Sequence, residues 1–299
     1  MDALNRILIA TDLSEPSLVA AQRGLNLAQQ QGLECTIVHV LPRDLISDIQ
    51  HTLSRWDDTF ERNAIERQTR ELNQRIRTLL EGRPLNVHTR LRTGQPAQAI
   101  AEQTRESQAE LLVMSSHGKG MIRNMLVGST VIGVLQHTTC PVLVVRAARQ
   151  SPYQTVLLAI DFSENSRAVI EAALKFAPKA HYILAHSLQA RFDEMQRLAI
   201  LDQDQIQAFA QDASEQAIDA LEQLAQSAGL PEDRYTTLVL EHQTPRDWIG
   251  TASEVQADLI VTGKHGRHVT RDRILGSFTQ AVISHADRDV LVVPPTKTS

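Results

Sequence analysis

A glycine-rich segment in the second half of the chain has the residue types and spacing of a phosphate-binding loop. Gly263 and Gly266 are followed, after nine residues, by Gly276 and Ser277. Glycines let a ligand approach the backbone closely, and we expect Gly276 to use a positive φ. A helical pattern begins at Ser277, which adds a hydroxyl donor. The first amides of a helix lack internal partners and its dipole favours an anion, so the pattern predicts a phosphate site.

The first half contains a related segment that departs from this pattern at one position. It has Ser115 where the later segment has Gly263, and it keeps Gly118, Gly128 and Ser129. The alternative interpretation is that such glycines serve only turns and close packing. Two copies at nearly the same offset favour the phosphate loop over that alternative.

A carboxylate follows the first apolar run of each half, at Asp12 and Asp161. At the carboxyl edge of a parallel sheet, it can accept hydrogen bonds from a ribose hydroxyl or a base amine. Because Ser14 and Ser163 follow closely, an Asx-turn or a helix N-cap explains the same aspartates equally well. The residues alone leave both interpretations open.

Charged side chains follow the glycines of the second segment. Arg267, Arg271 and Arg273 could hold phosphates through charge-assisted hydrogen bonds. The alternative is a solvated loop in which these arginines form internal ion pairs. Arg267, the nearest to the glycines, is the arginine that we assign to the candidate nucleotide site.

Other kinds of site are not predicted. The Gly-x4-Gly-Lys-Ser/Thr arrangement of P-loop enzymes is absent, and the glycines follow the fourth strand, unlike those of the dinucleotide fingerprint. His265 and His268 lack further ligands at metal spacing. No nucleophile and base pair is evident, so no catalytic residue is assigned. Aromatic residues such as Trp248 and Phe278 are too scattered in the sequence to predict a base-stacking surface.

Alternating strands and helices must position these residues. Short apolar runs without polar alternation are typical of strands buried on both faces of a parallel sheet. Such runs occupy residues 7–10, 36–40, 111–114 and 142–145, then 156–160, 182–185, 238–240, 259–261 and 290–293. Their alternation with helical patterns predicts an α/β fold with right-handed crossovers and helices on both sheet faces.

The predicted helices have recognisable ends. One helix ends near Gln31, where Gly32 stands at the stop position. Pro96 and Pro245 suit the first turns of two others. Apolar residues over 206–224 step by three or four, which indicates a long amphipathic helix.

The two halves are copies of one domain. Residues 7–15 return as 156–164, and residues 142–145 return as 290–293, in the same order as the glycine segments. This repetition predicts domains at 1–147 and 153–299. The chain has 299 residues, so each domain has about 150, enough to bury a core.

Composition indicates an ordinary globular protein. The formal net charge of −5 does not favour a protein that coats nucleic acid or an acidic membrane. The two cysteines, Cys35 and Cys140, abut strand-like runs and are expected to be reduced and largely buried. No signal-peptide pattern and no apolar run of about 20 residues occurs, which predicts a cytoplasmic location.

This combination of residues resembles the universal stress protein family. Its pattern is Gly-x2-Gly-x9-Gly-(Ser/Thr) with an aspartate after the first strand, and residues 263–277 match it fully. The resemblance covers essentially the whole chain in the tandem arrangement. It implies two flavodoxin-like (Rossmann-like) domains, each with a five-stranded parallel sheet of order 3-2-1-4-5. It also implies ATP, with Mg²⁺ expected on the phosphates, because the intact pattern accompanies ATP binding in this family.

The resemblance implies roles for individual residues. Adenine and ribose contacts fall on Asp161 and Ser187, and phosphate contacts fall on the second-half glycines and Ser277. A side chain at Ser115 could crowd a nucleotide or strain the backbone, at about 1–3 kcal/mol if strain is forced. The second half is therefore expected to be the stronger site. The corresponding first-half residues are Asp12, Val40, Gly118, Gly128 and Ser129.

The implied function is an adenine-nucleotide-binding regulatory protein of a stress response. Binding is expected to be its main activity, with slow ATP hydrolysis at most, because no general base is evident. The resemblance also implies that residues 142–145 face residues 290–293 in an intramolecular pseudo-dimer, and it leaves a homodimer open.

Two other functions remain open. One is a nucleotide-free scaffold that binds a protein partner, with the poorly matching segments 42–60 and 188–203 as its binding surfaces. The other is an enzyme of the same fold, which the missing His-x-Gly-His signature disfavours.

Overall fold

The computed structural model describes residues 6–43, 58–118, 127–146, 151–188, 203–240, 244–265 and 275–295. The chain divides into two compact units, Met1–Gln150 and Ser151–Ser299. Each unit is an α/β domain with a parallel sheet, and the predicted fold class is confirmed.

In the first unit, five parallel strands have the order β3-β2-β1-β4-β5. The strands are β1 Arg6–Thr11, β2 Glu34–Pro42, β3 Val87–Gly94, β4 Leu111–Ser115 and β5 Val142–Val145. The described helices are α1 Glu15–Gln31, α2 Asp58–Leu80, α3 Pro96–Glu106 and α4 Ser129–His137.

The second unit repeats this arrangement with the order β8-β7-β6-β9-β10. Its strands are β6 Thr155–Ala159, β7 His181–Ser187, β8 Tyr235–Leu240, β9 Leu259–Gly263 and β10 Asp289–Val293. Its described helices are α5 Ser166–Phe176, α6 Gln203–Ser227, α7 Pro245–Glu254 and α8 Ser277–His285, and a 3₁₀ turn spans Glu232–Arg234.

The nine strands predicted from apolar runs are all present, and their burial explains the pattern. Every residue of β4, β5 and β10 is buried. A strand covered on both faces has no solvent side and therefore no polar alternation. The tenth strand, β3, lies at the edge of its sheet and exposes His88, Arg90 and Thr93, so it has no continuous apolar run.

The helix ends follow from local chemistry. Gly32 ends α1 with φ 68° and donates its N–H to the carbonyl of Ala28. This left-handed conformation favours glycine, as the stop position predicts. Pro96 and Pro245 occupy the first turns of α3 and α7, as predicted. Within the described segments, no helix combines the length and hydropathy that a membrane crossing needs.

Both cysteines are free thiols. Cys35 is fully buried on β2, and Cys140 lies just before β5. Burial raises the pKa of each thiol to about 12, so both remain protonated and unreactive near neutral pH.

The strand order reverses at one place in each sheet. The connections from β1 and β4 leave the sheet on opposite sides, and those from β6 and β9 do the same. In open α/β sheets the crevice outside the carboxyl ends of such strands is the usual ligand site. Asp161 and the segment after β9 both lie at this point of the second unit.

Candidate functional site

A cavity of about 340 Å³ lies at the carboxyl ends of β6, β7 and β9 in the second unit. Five of the predicted second-half residues border it, as do the first turns of α7 and α8. These five are Asp161, Ser187, Gly263, Gly276 and Ser277. The other two predicted residues, Gly266 and Arg267, lie outside the described residues.

The carboxylate of Asp161 uses one oxygen to shape the turn after β6. Oδ1 accepts hydrogen bonds from the amide of Ser163 at 2.9 Å, from its hydroxyl at 2.6 Å and from the hydroxyl of Ser166 at 3.0 Å. This is the Asx-turn that the sequence left as an alternative. Every hydrogen bond that Asp161 makes within the described segments goes to Oδ1, which leaves Oδ2 for a further donor.

A left-handed residue follows each aspartate. Leu13 has φ 63° and Phe162 has φ 57°, conformations that side chains with a Cβ seldom adopt. The ring of Phe162 lies 4.4 Å from the ring of His186, centroid to centroid. His186 Nδ1 lies 2.8 Å from the carbonyl oxygen of Ile160 and must donate to it, because that oxygen only accepts. These contacts stabilise the unfavourable left-handed conformation of the turn that places Asp161 at the cavity.

Gly263 ends β9 at a point where a side chain would be crowded. A Cβ built on Gly263 would lie 3.0 Å from Asn165 Nδ2 and 3.3 Å from the carbonyl oxygen of His265. The hydroxyl of Thr279, in the first turn of α8, donates to the carbonyl of Gly263 at 2.7 Å. The absence of a side chain at residue 263 thus keeps this edge of the cavity clear.

Gly276 is the N-cap of α8, and the prediction of a positive φ there is wrong. Its φ is −59° and its ψ is 142°, an extended conformation that any residue adopts. Its N–H donates to the carbonyl of Lys264 at 3.0 Å, so that amide is already used. A glycine N-cap offers no side-chain oxygen to the first amides of α8. Among the described residues, the cap therefore supplies no acceptor to those amides, which begin at Ser277.

The corresponding residues of the first unit are arranged differently. The hydroxyl of Ser115 donates to the carbonyl of His117 at 2.6 Å, within the space that a glycine would leave open. A Cβ built on Gly118 would lie 2.5 Å from Asp12 Oδ2. The structure thus brings Asp12 and Gly118 together and places the second carboxylate oxygen of Asp12 against the loop.

The remaining first-unit residues keep parts of the second-unit geometry. Gly128 is the N-cap of α4, Ser129 is the first residue of that helix, and the Gly128 amide donates to the carbonyl of Ser116 at 3.1 Å. Val40 lies inside β2, within the predicted run 36–40, and pairs with Arg92 of β3. The strand is longer than its apolar core because its last residues pair with an edge strand.

Three cavity residues were missed in the sequence. Asn165, the N-cap of α5, donates from Nδ2 to the carbonyl of Val293 at 3.2 Å. Its Oδ1 is buried and has no hydrogen-bond partner among the described residues. Trp248 and Phe278 border the same cavity and meet edge to face with centroids 5.3 Å apart, a contact that their spacing in the sequence does not reveal.

Signals for these residues are weak in the sequence. Asn165 aligns with Pro16 of the first half, which is a visible difference between the copies but not evidence of a contact. Trp248 and Phe278 lie on helices that follow different strands, and only the packing of α7 against α8 joins them.

In the described parts of the chain, no three His, Cys, Asp or Glu side chains cluster closely enough to hold a metal ion.

Comparison with known proteins agrees with the resemblance seen in the sequence. A universal stress protein of Mycolicibacterium smegmatis is 25% identical over 308 residues, which cover 97% of this chain and 97% of that protein. One from Methanocaldococcus jannaschii is 28% identical over 145 residues, which cover 48% of this chain and 84% of that protein.

Solved structures agree on the fold. The crystal structure of a universal stress protein from Archaeoglobus fulgidus has a TM-score of 0.68 at 19% identity, over 97% of this chain and 98% of that one. The sequence model of the family described as "Universal stress protein family" matches residues 3–146 and again residues 152–294. These two matches span nearly the whole chain, which therefore belongs to the universal stress protein family and carries two of its domains in tandem.

Proposed function

We propose that the second unit binds an adenine nucleotide, ATP, in the cavity at the ends of β6, β7 and β9. One observation carries the proposal: a carboxylate oxygen left for a donor, a glycine edge and a helix N-terminus border the same cavity. Its volume of about 340 Å³ is within the range of small-molecule sites, roughly 300–1,000 Å³.

The phosphates are assigned to the edge formed by Gly263, Gly276 and Ser277. The first amides of α8 and the Ser277 hydroxyl supply donors, and the helix dipole favours negative charge there. Because the Gly276 amide already donates to Lys264, the role of Gly276 is to let a phosphate approach without meeting a side chain. Gly266 and Arg267 are proposed as further phosphate contacts.

The nucleoside is assigned to the part of the cavity that Asp161, Ser187 and Trp248 border. Asp161 Oδ2 would accept from a ribose hydroxyl, and Ser187, at the end of β7, offers a hydroxyl to the base. Trp248 and Val169 add apolar surface to the same cavity, which suits the flat face of adenine. A cavity that combines these polar groups with apolar side chains fits a nucleotide better than a free phosphate.

We further propose that Mg²⁺ accompanies the nucleotide. A triphosphate carries several negative charges, and the described residues that border the cavity include no lysine or arginine. A divalent ion on the phosphates would supply the missing positive charge. Arg267 is the proposed second source of that charge.

The first unit is expected to bind nucleotide more weakly or not at all. Asp12 Oδ2 packs against Gly118, and the Ser115 side chain occupies the place that Gly263 leaves open. A ligand would have to displace both groups before it reached the contacts proposed for the second unit.

Binding is proposed as the main activity, with hydrolysis slow at most. The name shared by its relatives supports a regulatory role in a stress response. In the alternative, a nucleotide-free scaffold, the surfaces would be segments 42–60 and 188–203. Of these, residues 44–57 and 189–202 lie outside the described part of the chain.

The first test is to heat-denature a sample of the freshly purified chain and to identify the released nucleotides by liquid chromatography and mass spectrometry. A second, folded sample from which nucleotide has been removed is then titrated with ATP and Mg²⁺ by calorimetry. We expect about one nucleotide per chain. Asp161→Asn keeps an Asx-turn former but removes the charge, and it should weaken binding about 10- to 100-fold, the value of a hydrogen bond to a charged group. Asp12→Asn is the matched control and should leave the affinity unchanged.

The contradicting outcomes are distinct. No released nucleotide together with no heat of binding at millimolar ATP would favour the scaffold. Loss of binding in Asp12→Asn but not in Asp161→Asn would place the site in the first unit. Steady ATP turnover that is lost in Asp161→Asn would favour the enzyme.

A further inference from the structure

Asn165 borders the candidate nucleotide cavity with an acceptor that the protein does not use. Its Oδ1 is buried and has no hydrogen-bond partner within the described segments. Buried polar atoms in proteins are almost always hydrogen-bonded, so an exception beside a cavity points to a group that the cavity receives.

The orientation of this amide is fixed by its other end. Nδ2 donates to the carbonyl of Val293, the last residue of β10, at 3.2 Å. The same nitrogen lies 3.0 Å from the position that a Cβ on Gly263 would occupy. Exchanging Oδ1 and Nδ2 would set two oxygens against each other at Val293. Oδ1 is thus held as an acceptor.

The chemistry of an acceptor limits what it can recognise. Ionised phosphate oxygens only accept hydrogen bonds, so Oδ1 does not suit a bare phosphate. A hydroxyl suits it. Asp161, in the same turn, presents a second acceptor. Its three hydrogen bonds within the described segments all go to Oδ1, so Oδ2 can accept from a ligand. Ser166, adjacent to Asn165, is one of those donors and ties the two positions together.

We infer that Asn165 is a specificity-determining residue of the second unit, where its Oδ1 accepts a hydrogen bond from a ribose hydroxyl while Asp161 Oδ2 accepts from the neighbouring one. The inference rests on the proposed nucleotide site. The pair of acceptors selects a ribonucleotide over a deoxyribonucleotide. The first unit has Pro16 at this position and lacks the second acceptor.

The test measures ATP, 2′-deoxy-ATP and 3′-deoxy-ATP binding by calorimetry in the parent chain and in Asn165→Ala. We expect the parent to bind ATP about 10- to 100-fold more tightly than the deoxynucleotide that lacks the hydroxyl facing the Asp161 carboxylate, and about 3- to 10-fold more tightly than the one that lacks the hydroxyl facing Asn165, as one charged and one neutral hydrogen bond allow. Asn165→Ala should lose a similar factor for ATP and bind one of the two deoxynucleotides as tightly as ATP. Discrimination against the other, through Asp161, should remain.

Controls separate recognition from folding. Asn165 makes no side-chain cap bond to α5, so the alanine variant should fold, and its melting temperature without nucleotide checks this. Asn165→Ser repeats the test with a smaller loss of polarity. Pro16→Ala, at the matching position of the first unit, should leave all three affinities unchanged.

The outcomes distinguish this inference from the site itself. If the parent chain binds none of the three nucleotides, the proposed function fails and the inference fails with it. If the parent binds ATP and Asn165→Ala keeps the parent's discrimination against both deoxynucleotides, the site stands and the role of Asn165 is wrong. A loss of affinity in Asn165→Ala that appears only with Mg²⁺, without a change in discrimination, would also overturn the ribose contact.

Discussion

Replacing Gly263 by serine would give the second unit the residue that the first unit has at the matching position. A Cβ at residue 263 would lie 3.0 Å from Asn165 Nδ2, closer than such contacts normally are, so Asn165 must move by a few tenths of an ångström. The new hydroxyl could bond the carbonyl of His265, as Ser115 bonds His117 at 2.6 Å. Gly263 has no positive φ, so the backbone accepts a side chain without strain.

These contacts set the expected magnitudes. Moving Asn165 weakens its hydrogen bond to Val293, worth about 1 kcal/mol, which corresponds to a fall of about 2–4 °C in melting temperature for a domain of this size. The affinity for ATP should fall further than the stability, because the new side chain both fills the edge of the cavity at residue 263 and displaces Asn165. We expect a loss of about 2 kcal/mol, roughly 30-fold in ATP affinity.

Calorimetric titration of Gly263→Ser with ATP and Mg²⁺, beside a melting curve without nucleotide, measures both effects. Ser115→Gly is the matched control and should change neither the affinity nor the stoichiometry. If Gly263→Ser melts and binds ATP as the parent does, the cleared edge at residue 263 has no part in binding. If Ser115→Gly adds a second nucleotide per chain, the packing of Asp12 against Gly118 does not close the first unit.

Three further outcomes follow from contacts away from the cavity. The two cysteines, whose thiol pKa values burial raises to about 12, should react with a disulfide reagent at pH 8 only when the chain is unfolded in denaturant. The Arg92 guanidinium, by hydrogen bond and charge, lowers the pKa of Glu106. The ion pair therefore stabilises the fold at pH values above the ordinary carboxyl pKa, and this stabilisation is lost as the pH falls through the lowered pKa of Glu106. The melting temperatures of the parent and of Glu106→Gln should therefore differ near neutral pH and converge in acid. Tyr153→Phe removes a 2.7 Å hydrogen bond to the fully buried carboxylate of Asp289 and should lower the free energy of unfolding by about 1–3 kcal/mol, measured by urea titration.

Local sequence patterns were sufficient to predict most elements of the fold. A strand buried on both faces leaves an apolar run, and a left-handed helix stop leaves a glycine such as Gly32. The strand β3 escaped prediction because its exposed residues His88, Arg90 and Thr93 interrupt the apolar pattern. Gly276 shows another limit of the sequence. A glycine does not reveal whether it is needed for a positive φ or for the close approach of another group, and the φ of −59° at Gly276 excludes the need for a positive φ.

The candidate site was predictable only as far as its contacts are local. The Asx-turn at Asp161 involves Ser163, two residues away, so a sequence alternative described it correctly. The side chain of Asn165 depends on Val293, 128 residues away, and on the missing side chain of Gly263. No periodicity or spacing reports such a contact, because the three residues meet only once the sheet has formed.

The differences between the two copies separate what the fold requires from what the cavity requires. Both copies keep three features of the turns that join strands to helices: a left-handed residue after the first strand of the unit, a histidine bonded to a carbonyl near the end of that strand, and a glycine N-cap on the helix that follows the fourth strand. These are Leu13 and Phe162, His39 and His186, and Gly128 and Gly276. The copies differ where Asn165 and Gly263 touch, since Pro16 and Ser115 stand at the matching positions. Both folds tolerate their own pair, so folding alone does not demand the asparagine and the glycine. A ligand at the proposed site of the second unit would account for this asparagine and this glycine.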